Sequence, residues 1–149
     1  MSRPSIPALP CMCASFRRAS RALTQLYDQA LRPLELRATQ FTVLQALSLV
    51  GEVSQGELGK ILAIDSTTLT RTLEIMGRRG WITKTEGKDR RAWRLRLTKA
   101  GESQFKRALP SWEEVQSRLQ GRLGSDRWEK LLSLTNTVTS AVTESGDIS

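Results

Sequence analysis

The sequence predicts a mainly α-helical domain that carries one small β-hairpin and has long helices at both ends. Over most of the chain, apolar residues recur at spacings of three and four, which is typical of amphipathic helices. Only residues 81–97 alternate apolar and polar side chains around a glycine-containing turn, which is typical of two paired strands. Proline and glycine punctuate these segments and divide the chain into six predicted helices and the hairpin.

The composition limits the classes of function that are open to the protein. With 149 residues and 39% hydrophobic content, the chain is long enough for one domain with its own core. The sequence contains no histidine, only two cysteines and no Gly-rich phosphate-binding motif. His-based metal sites, Ser–His–Asp triads and the common nucleotide loops are therefore excluded. We expect neither an enzyme nor a cofactor.

The cellular compartment is predicted from the absence of targeting signals. No apolar run approaches the roughly 20 residues that a membrane span needs, and the first ten residues lack the apolar core of a signal peptide. We therefore expect a cytoplasmic protein that makes no membrane contact and keeps its cysteines reduced.

The first two helices are predicted from their apolar faces and their end residues. Pro33 limits the first helix. The second helix is predicted to run from about Thr39, as its N-cap, to Val50, with Gly51 at its C-terminal cap. The apolar stripe of the first helix consists of Phe16, Ala19, Leu23, Leu26 and Ala30.

A helix-turn-helix is predicted next. Ser54 and Glu57 have the spacing of a capping box and open the third helix. A short turn, residues 63–65, leads into a fourth helix with Asp65 or Ser66 as its N-cap. Two helices joined in this way, the second beginning with small polar side chains, are typical of the DNA-binding helix-turn-helix. The predicted inward-facing residues are Leu58, Ile61 and Leu62 in the third helix and Leu69, Leu73 and Met76 in the fourth.

The predicted hairpin follows directly. Its strands are Trp81–Glu86 and Trp93–Leu97, with Gly87 at the turn. In the second strand two leucines alternate with two arginines, which gives one core face and one basic face. A helix-turn-helix followed by such a hairpin is a winged helix-turn-helix.

Positive charge is concentrated in this part of the chain. The net charge is +8, and residues 65–96 hold nine of the 23 basic residues but four of the 15 acidic ones. Such a concentration is typical of phosphate binding, so we predict double-stranded DNA as the partner. The alternative is a solvated basic face without a ligand.

Two long helices close the domain. The fifth is predicted from about Thr98 to Arg122, with Pro110 expected to kink or split it. A last helix follows the break at Gly124. Because the terminal helices carry apolar faces outside the winged core, we expect them to pack on a second copy in a homodimer. The alternative is that they pack back on their own core.

These elements divide the chain into three parts. Residues 1–12, which contain three prolines, are expected to form a flexible arm, and residues 145–149 a tail. Residues 13–144 form a single domain. Within that domain, residues 39–98 are the winged helix-turn-helix, and residues 13–33 and 98–144 are the dimerisation helices.

The end of the hairpin carries a long, regularly spaced motif. Its residues are Asp89, Arg91, Leu95, Leu97, Thr98 and Gly101, in the pattern D-x-R-x-x-x-L-x-L-T-x-x-G. With every spacing intact, this motif resembles the wing of the MarR family of bacterial transcriptional regulators. The segment LTRTLEIMGRRGWI is similar to the recognition helix of that family, and the order of helices is similar over about residues 13–143. The resemblance implies a homodimer whose two winged lobes bind a pseudo-palindromic operator.

The resemblance also implies which residues meet DNA. Hydroxyls and a guanidinium near the start of the fourth helix would enter the major groove, where Arg pairs bidentately with guanine. Lys88 and Arg90 at the hairpin tip would contact phosphate or the minor groove. Asp89 and Arg91 would form an ion pair that shapes the wing, with Arg91 also meeting DNA. The predicted major-groove residues are Ser66, Thr67, Thr68, Thr70 and Arg71.

Some of these residues have competing structural roles. Ser66 could serve only as a cap, and Thr68 could bond nearby backbone. Arg78 and Arg79 are predicted to be a solvated, favourably charged helix end.

The two cysteines precede the first helix. Judged by its spacing to Arg21 and Tyr27, Cys13 lies where the OhrR-type, peroxide-sensing branch of the family carries its reactive cysteine. That likeness implies oxidation of Cys13 to a sulfenic acid, with Cys11 as the resolving partner. The sequence departs from the branch at Arg17, where a tyrosine is expected. Inert packing thiols and a soft-metal or arsenic ligand pair are the alternatives.

These observations predict a sequence-specific, dimeric DNA-binding transcriptional regulator, a repressor released by a small ligand or by oxidation. MarR relatives often respond to aromatic acids that bind between the dimer region and the winged lobe. The resemblance therefore implies a small aromatic effector. Two alternatives stay open. One is a thiol-based redox sensor acting through Cys13, and the other is an architectural DNA-binding protein with little sequence preference.

Overall fold

The computed structural model describes residues 5–87 and 93–144, and it confirms the predicted fold class of helices with a small antiparallel sheet. No helix in these residues is long and apolar enough to cross a membrane. In chain order the elements are α1 (Met12–Leu31), a 3₁₀ turn (Arg32–Leu34), α2 (Ala38–Val50), β1 (Val53–Ser54), α3 (Gln55–Leu62), α4 (Ser66–Arg78), β2 (Ile82–Glu86), β3 (Trp93–Leu97), α5 (Lys99–Leu123) and α6 (Ser125–Glu144).

The helix-turn-helix is held by the caps that the sequence predicts. The backbone N–H of Ser54 donates to Glu57 Oε2 (3.0 Å), and the N–H of Glu57 donates to Ser54 Oγ (3.2 Å). Asp65, not Ser66, caps α4, because its Oδ2 accepts from the Thr68 N–H at 2.9 Å. Ala63, at φ 49°, adopts the left-handed conformation that ends α3. The chain thus reverses between α3 and α4 within three residues.

The start of α2 differs from the prediction. Thr39 is not the N-cap, because the helix begins at Ala38 and Arg37 occupies the cap position. Asp28 Oδ1 in α1 accepts from the Ala38 N–H at 2.7 Å, and Gln40 Oε1 accepts from the Arg37 N–H at 3.0 Å. Asp28 and Gln40 thus satisfy two of the backbone N–H groups that are free at the start of α2.

The sheet has three strands where the sequence predicts two. Their order is β1-β3-β2, and all pairs are antiparallel. Val53 pairs with Leu95, and Ile82 pairs with Leu97. Leu95 is fully buried and Arg96 is exposed, which confirms the core and basic faces of the central strand. β1 has only two residues, too few to show a period in the sequence.

The core of the winged lobe is formed by α2, α3, α4, the sheet and the first half of α5. Ile61 is an exception to the predicted inner face of α3, because 53% of its surface is exposed. The helix has eight residues and turns away after Leu62, so it packs mainly through Leu58. The fully buried side chains of this lobe include Leu44, Leu58, Leu69, Met76 and Leu95.

α5 runs unbroken from Lys99 to Leu123, with Pro110 inside it. Of the two predicted effects of Pro110, a kink or a split, the split does not occur. Ala108 and Val115, on either side of the proline, are buried. Packing on both sides holds the helix together across the lost backbone hydrogen bond.

The terminal helices bury little of their apolar surface within one chain. Among the described residues, α6 contains no buried residue and α1 contains one, Leu31. Much of the apolar surface of α6 is thus left uncovered by its own chain. Exposed apolar side chains on the two helices include Phe16, Leu23, Leu131, Leu132 and Leu134.

Candidate nucleic-acid interface

α4 presents four of the five predicted major-groove residues on one surface. Every third or fourth residue of the helix (Leu69, Leu73 and Met76) faces the core, so the residues between them face solvent. An open recess lies on the exposed side of α4. It is lined by Glu74 and by four of the predicted residues, Ser66, Thr67, Thr70 and Arg71.

Thr68 is separated from the other four. Its hydroxyl donates to Asp65 Oδ1 at 2.6 Å, while its N–H donates to Asp65 Oδ2. These two hydrogen bonds hold the pKa of the Asp65 carboxyl below its usual range. Thr68 is thus a member of the N-terminal cap of α4, and its hydroxyl hydrogen is already engaged.

Gln55, which the sequence pattern does not single out, contacts this face of α4. It is the first residue of α3, and its Nε2 donates to Thr70 Oγ1 at 2.9 Å. The two residues are 15 positions apart in different helices. No local pattern signals their contact, because it depends on how tightly the turn brings α3 against α4.

The wing is braced to the helix-turn-helix by Arg94 of β3. Its Nη2 donates to the carbonyl oxygen of Glu52 at 2.8 Å, and its guanidinium lies 3.8 Å from the Glu52 carboxylate and 3.9 Å from that of Glu57. Thr85 of β2 donates to Glu52 Oε1 at 2.8 Å. The pKa of Glu57 is lowered, mainly by hydrogen bonds from Ser54 and less by Arg94. Arg94 therefore positions the wing.

The predicted residues at the hairpin tip lie outside the described residues. These are Lys88, Arg90 and Arg91, together with the wing-shaping Asp89. The strands that flank them, β2 and β3, are paired along their whole length from Ile82 with Leu97 to Glu86 with Trp93.

Arg79, at the C-terminal end of α4, makes specific contacts within the protein. Its Nη1 donates to the carbonyl oxygen of Glu35 at 2.6 Å, and its Nη2 lies 3.8 Å from the Glu35 carboxylate. The guanidinium also lies 4.7 Å from the ring centroid of Trp81. The prediction that Arg79 is only a solvated charge is wrong, because Arg79 bonds to Glu35. The two residues lie 44 positions apart, so no local pattern indicates the contact. Arg78 remains exposed.

The cysteines lie at the start of α1, far along the chain from α4. Cys11 is at the N-cap position without a side-chain cap bond, and Cys13 is in the first turn. Cys11 and Cys13 are both exposed within a single chain. The preceding segment is held against α1, since Ser15 donates to the carbonyl of Leu9 and Arg18 to that of Pro7. Residues 5–87 and 93–144 contain no group of three or more side chains placed to hold a metal ion.

An apolar cleft of about 550 Å³ lies between α1, α2, α5 and α6. Tyr27 and Gln116 are its central polar pair, with the phenol donating to Gln116 Oε1 at 2.6 Å. Partial burial raises the pKa of Tyr27. None of the described lining residues is a lysine or arginine, so the cleft offers no cation to a carboxylate. Its aromatic lining consists of Phe16, Tyr27, Phe41, Trp112 and Trp128.

Comparison with known proteins agrees with this geometry. A model described as the MarR family matches residues 34–92. The uncharacterized HTH-type transcriptional regulator YwoH of Bacillus subtilis (strain 168) is 28% identical over 88 residues, 59% of this chain. The chain spans 64% of the length of that curated relative.

Solved structures match over a larger share of the chain. The M. tuberculosis transcriptional regulator MosR, in complex with DNA, is 36% identical with a TM-score of 0.81. The match covers 90% of this chain and 97% of MosR. A mutant of MarR from E. coli with operator DNA shares the fold, at 24% identity and a TM-score of 0.77, over 85% of this chain and 92% of that one. These relatives are regulators and not enzymes, and this chain belongs to the MarR family of transcriptional regulators.

Proposed function

We propose that the protein is a homodimeric repressor that binds a pseudo-palindromic operator in double-stranded DNA. One observation carries the proposal: Ser66, Thr67, Thr70 and Arg71 share the exposed face of α4, opposite its buried side. Small hydroxyl side chains beside an arginine are suited to base edges and phosphates of the major groove. The DNA-bound MosR structure, with 36% identity, supports the same partner for this chain.

The dimer is supported by the terminal helices. α6 buries none of its described residues within one chain, although Leu131, Leu132 and Leu134 are on it. Several exposed leucines on one helix favour its association with a partner chain. A two-fold dimer would place two recognition helices roughly 34–36 Å apart, so that they enter successive turns of the major groove.

Release from DNA is proposed to follow from a shift between two dimer geometries. The apolar cleft adjoins both the proposed dimer helices and α2 of the winged lobe. A small aromatic effector that binds one geometry better would change the spacing of the lobes. Because the cleft lacks a lining cation, a neutral aromatic compound suits it better than an aromatic acid.

The test is a binding selection from random duplex DNA at one fixed salt concentration, with the protein fully reduced. An inverted repeat is expected, and sedimentation of the protein–DNA complex should show two chains per site. Salt-sensitive binding that enriches no motif would overturn the proposal in favour of an architectural protein. Enrichment of a single half-site by one chain would overturn the dimer.

A second candidate, redox control of the same repressor, is favoured by the exposure of both thiols at the start of α1. A Cys13 thiolate that attacks a peroxide oxygen would become a sulfenic acid and release water or an alcohol. Attack by the Cys11 thiolate would then expel hydroxide and form a disulfide. Cys11 is the extended N-cap residue and Cys13 lies in the first turn of α1, so we expect disulfide formation to require this turn to unwind.

We expect Cys13→Ser to bind DNA normally and to resist release by peroxide, in a mobility-shift titration. Met12 is 65% exposed and is also oxidisable, so Met12→Leu is the matched control and should respond like the original protein. Dithiothreitol should restore binding, because it reduces a disulfide but not a methionine sulfoxide. Undiminished peroxide sensitivity in Cys13→Ser would exclude this thiol as the sensor.

A further inference from the structure

The hydroxyl groups of α4 differ in what they bond within the protein. Thr68 donates to the Asp65 carboxylate, and Thr72 donates to the carbonyl oxygen of Thr68 at 3.1 Å. Thr70 instead accepts a hydrogen bond, from Gln55 Nε2. Within the described part of the chain, the Thr70 hydroxyl donates to no protein acceptor.

This arrangement fixes the hydrogen-bonding character that Thr70 presents outward. A hydroxyl has one hydrogen and two lone pairs. The amide of Gln55 occupies a lone pair and cannot take the hydrogen at the same atom, because an amide nitrogen is only a donor. The hydrogen therefore points away from Gln55, on the exposed side of α4 that also carries Arg71.

The backbone on either side of Gln55 is held by hydrogen bonds. The residue before it, Ser54, is the N-cap of α3 and is joined to Glu57 by reciprocal hydrogen bonds. Glu57 in turn lies 3.9 Å from Arg94 of the wing. The backbone that carries Gln55 is therefore restrained by the cap of α3 and, through Glu57, by the wing, which is the support that a recognition group needs.

We infer that Gln55 is a specificity-determining positioning residue, which orients Thr70 as a hydrogen-bond donor toward an acceptor on a base edge. This inference rests on the proposed function. Arg71 is only a donor, and Thr70 has a hydrogen available to donate, so the two residues together favour edges rich in acceptors. In the major groove guanine offers N7 and O6, whereas cytosine offers only its N4 amino donor. A cytosine opposite Thr70 would offer no acceptor to the Thr70 hydrogen.

The experiment compares base preference at each operator position, measured by competition between single-base variants of the selected site. Gln55→Met keeps the length of the side chain but cannot donate. We expect it to reduce the preference at one position per half-site by about 2- to 10-fold, the usual worth of one hydrogen bond. Thr70→Val should reduce the preference at the same position. Gln55→Met should add nothing in the Thr70→Val background.

Thr72→Val is the matched control, because the Thr72 hydroxyl is bonded to the backbone of its own helix. It should leave every base preference unchanged. If Gln55→Met weakens binding equally for all sequences, Gln55 acts through the backbone or the fold and the inference is overturned. Additive effects of the two substitutions would also overturn it. Thermal unfolding of each variant shows whether the fold is intact.

Failure of the inference is distinguishable from failure of the proposed function. If the original protein selects no motif, the proposed function fails and the inference fails with it. If the original protein selects an inverted repeat but Gln55→Met has the same base preferences, only the inference fails.

Discussion

Gly101→Ala is expected to destabilise the protein by about 3 kcal/mol, the upper part of the range for forced overpacking. A Cβ at this position would overlap the carbonyl oxygen of Trp81 and lie 2.9 Å from its carbonyl carbon. Neither atom can move freely. The same carbonyl accepts from the Thr98 N–H at 3.0 Å, and the Thr98 hydroxyl donates to the carbonyl of Gly80. The first turn of α5 is thus fastened against the backbone that leads into the wing.

Gly121→Ala, in the same helix, is the matched control. Nothing lies within 4 Å of a Cβ built at Gly121. Alanine should there stabilise the helix by roughly 0.5–1 kcal/mol. Urea unfolding followed by tryptophan fluorescence measures both effects. Equal midpoints for Gly101→Ala and the original protein would show that α5 does not pack on the Trp81 backbone as described.

Arg71→Ala is expected to weaken operator binding by ~1–3 kcal/mol, a loss of roughly 5- to 150-fold in affinity. The side chain is exposed beside Ser66, Thr67 and Thr70, where it can pair bidentately with a guanine. The base preference at one position of each half-site should flatten. The free energy of unfolding should hardly change, because an exposed arginine contributes little to it.

Arg78→Ala is the control on the same helix. Arg78 is exposed near the C-terminal end of α4, and its Nε lies 3.4 Å from the carbonyl oxygen of Glu74. Its loss should alter base preference at no position. Fluorescence-anisotropy titrations on the operator and on a scrambled duplex, at one salt concentration, measure both variants. Unchanged operator affinity in Arg71→Ala would remove this residue from the recognition face.

The parts of the fold that the sequence predicts correctly depend on neighbours along the chain. The capping box of Ser54 and Glu57 spans three residues, and the cap of Asp65 on Thr68 spans three as well. The shared face of Ser66, Thr67, Thr70 and Arg71 follows from the helical period alone. Such features are set by local backbone geometry, so a single sequence contains the information that they require.

The features that the sequence does not predict depend on distant partners. At the start of α2, the Ala38 N–H is bonded by Asp28, ten residues upstream, a contact that the local pattern around Thr39 does not show. Arg79 bonds to Glu35 across 44 residues, and Arg94 to Glu52 across 42. These pairs are chosen by how the helices and the sheet dock. Composition and periodicity record only that each residue is polar and near a helix or strand end.

The connection between α1 and the winged lobe, residues 32–37, is held by hydrogen bonds that involve three side chains. Asp28 holds the start of α2, Gln104 of α5 donates to the carbonyl of Leu34 at 2.8 Å, and Arg79 holds Glu35. A joint with this many bonds is stiff. In the proposed dimer, each lobe would therefore turn together with its own α1. The distance between the two recognition helices would then be set where the two chains meet. An effector would change that distance at the contact between the chains and not within residues 32–37.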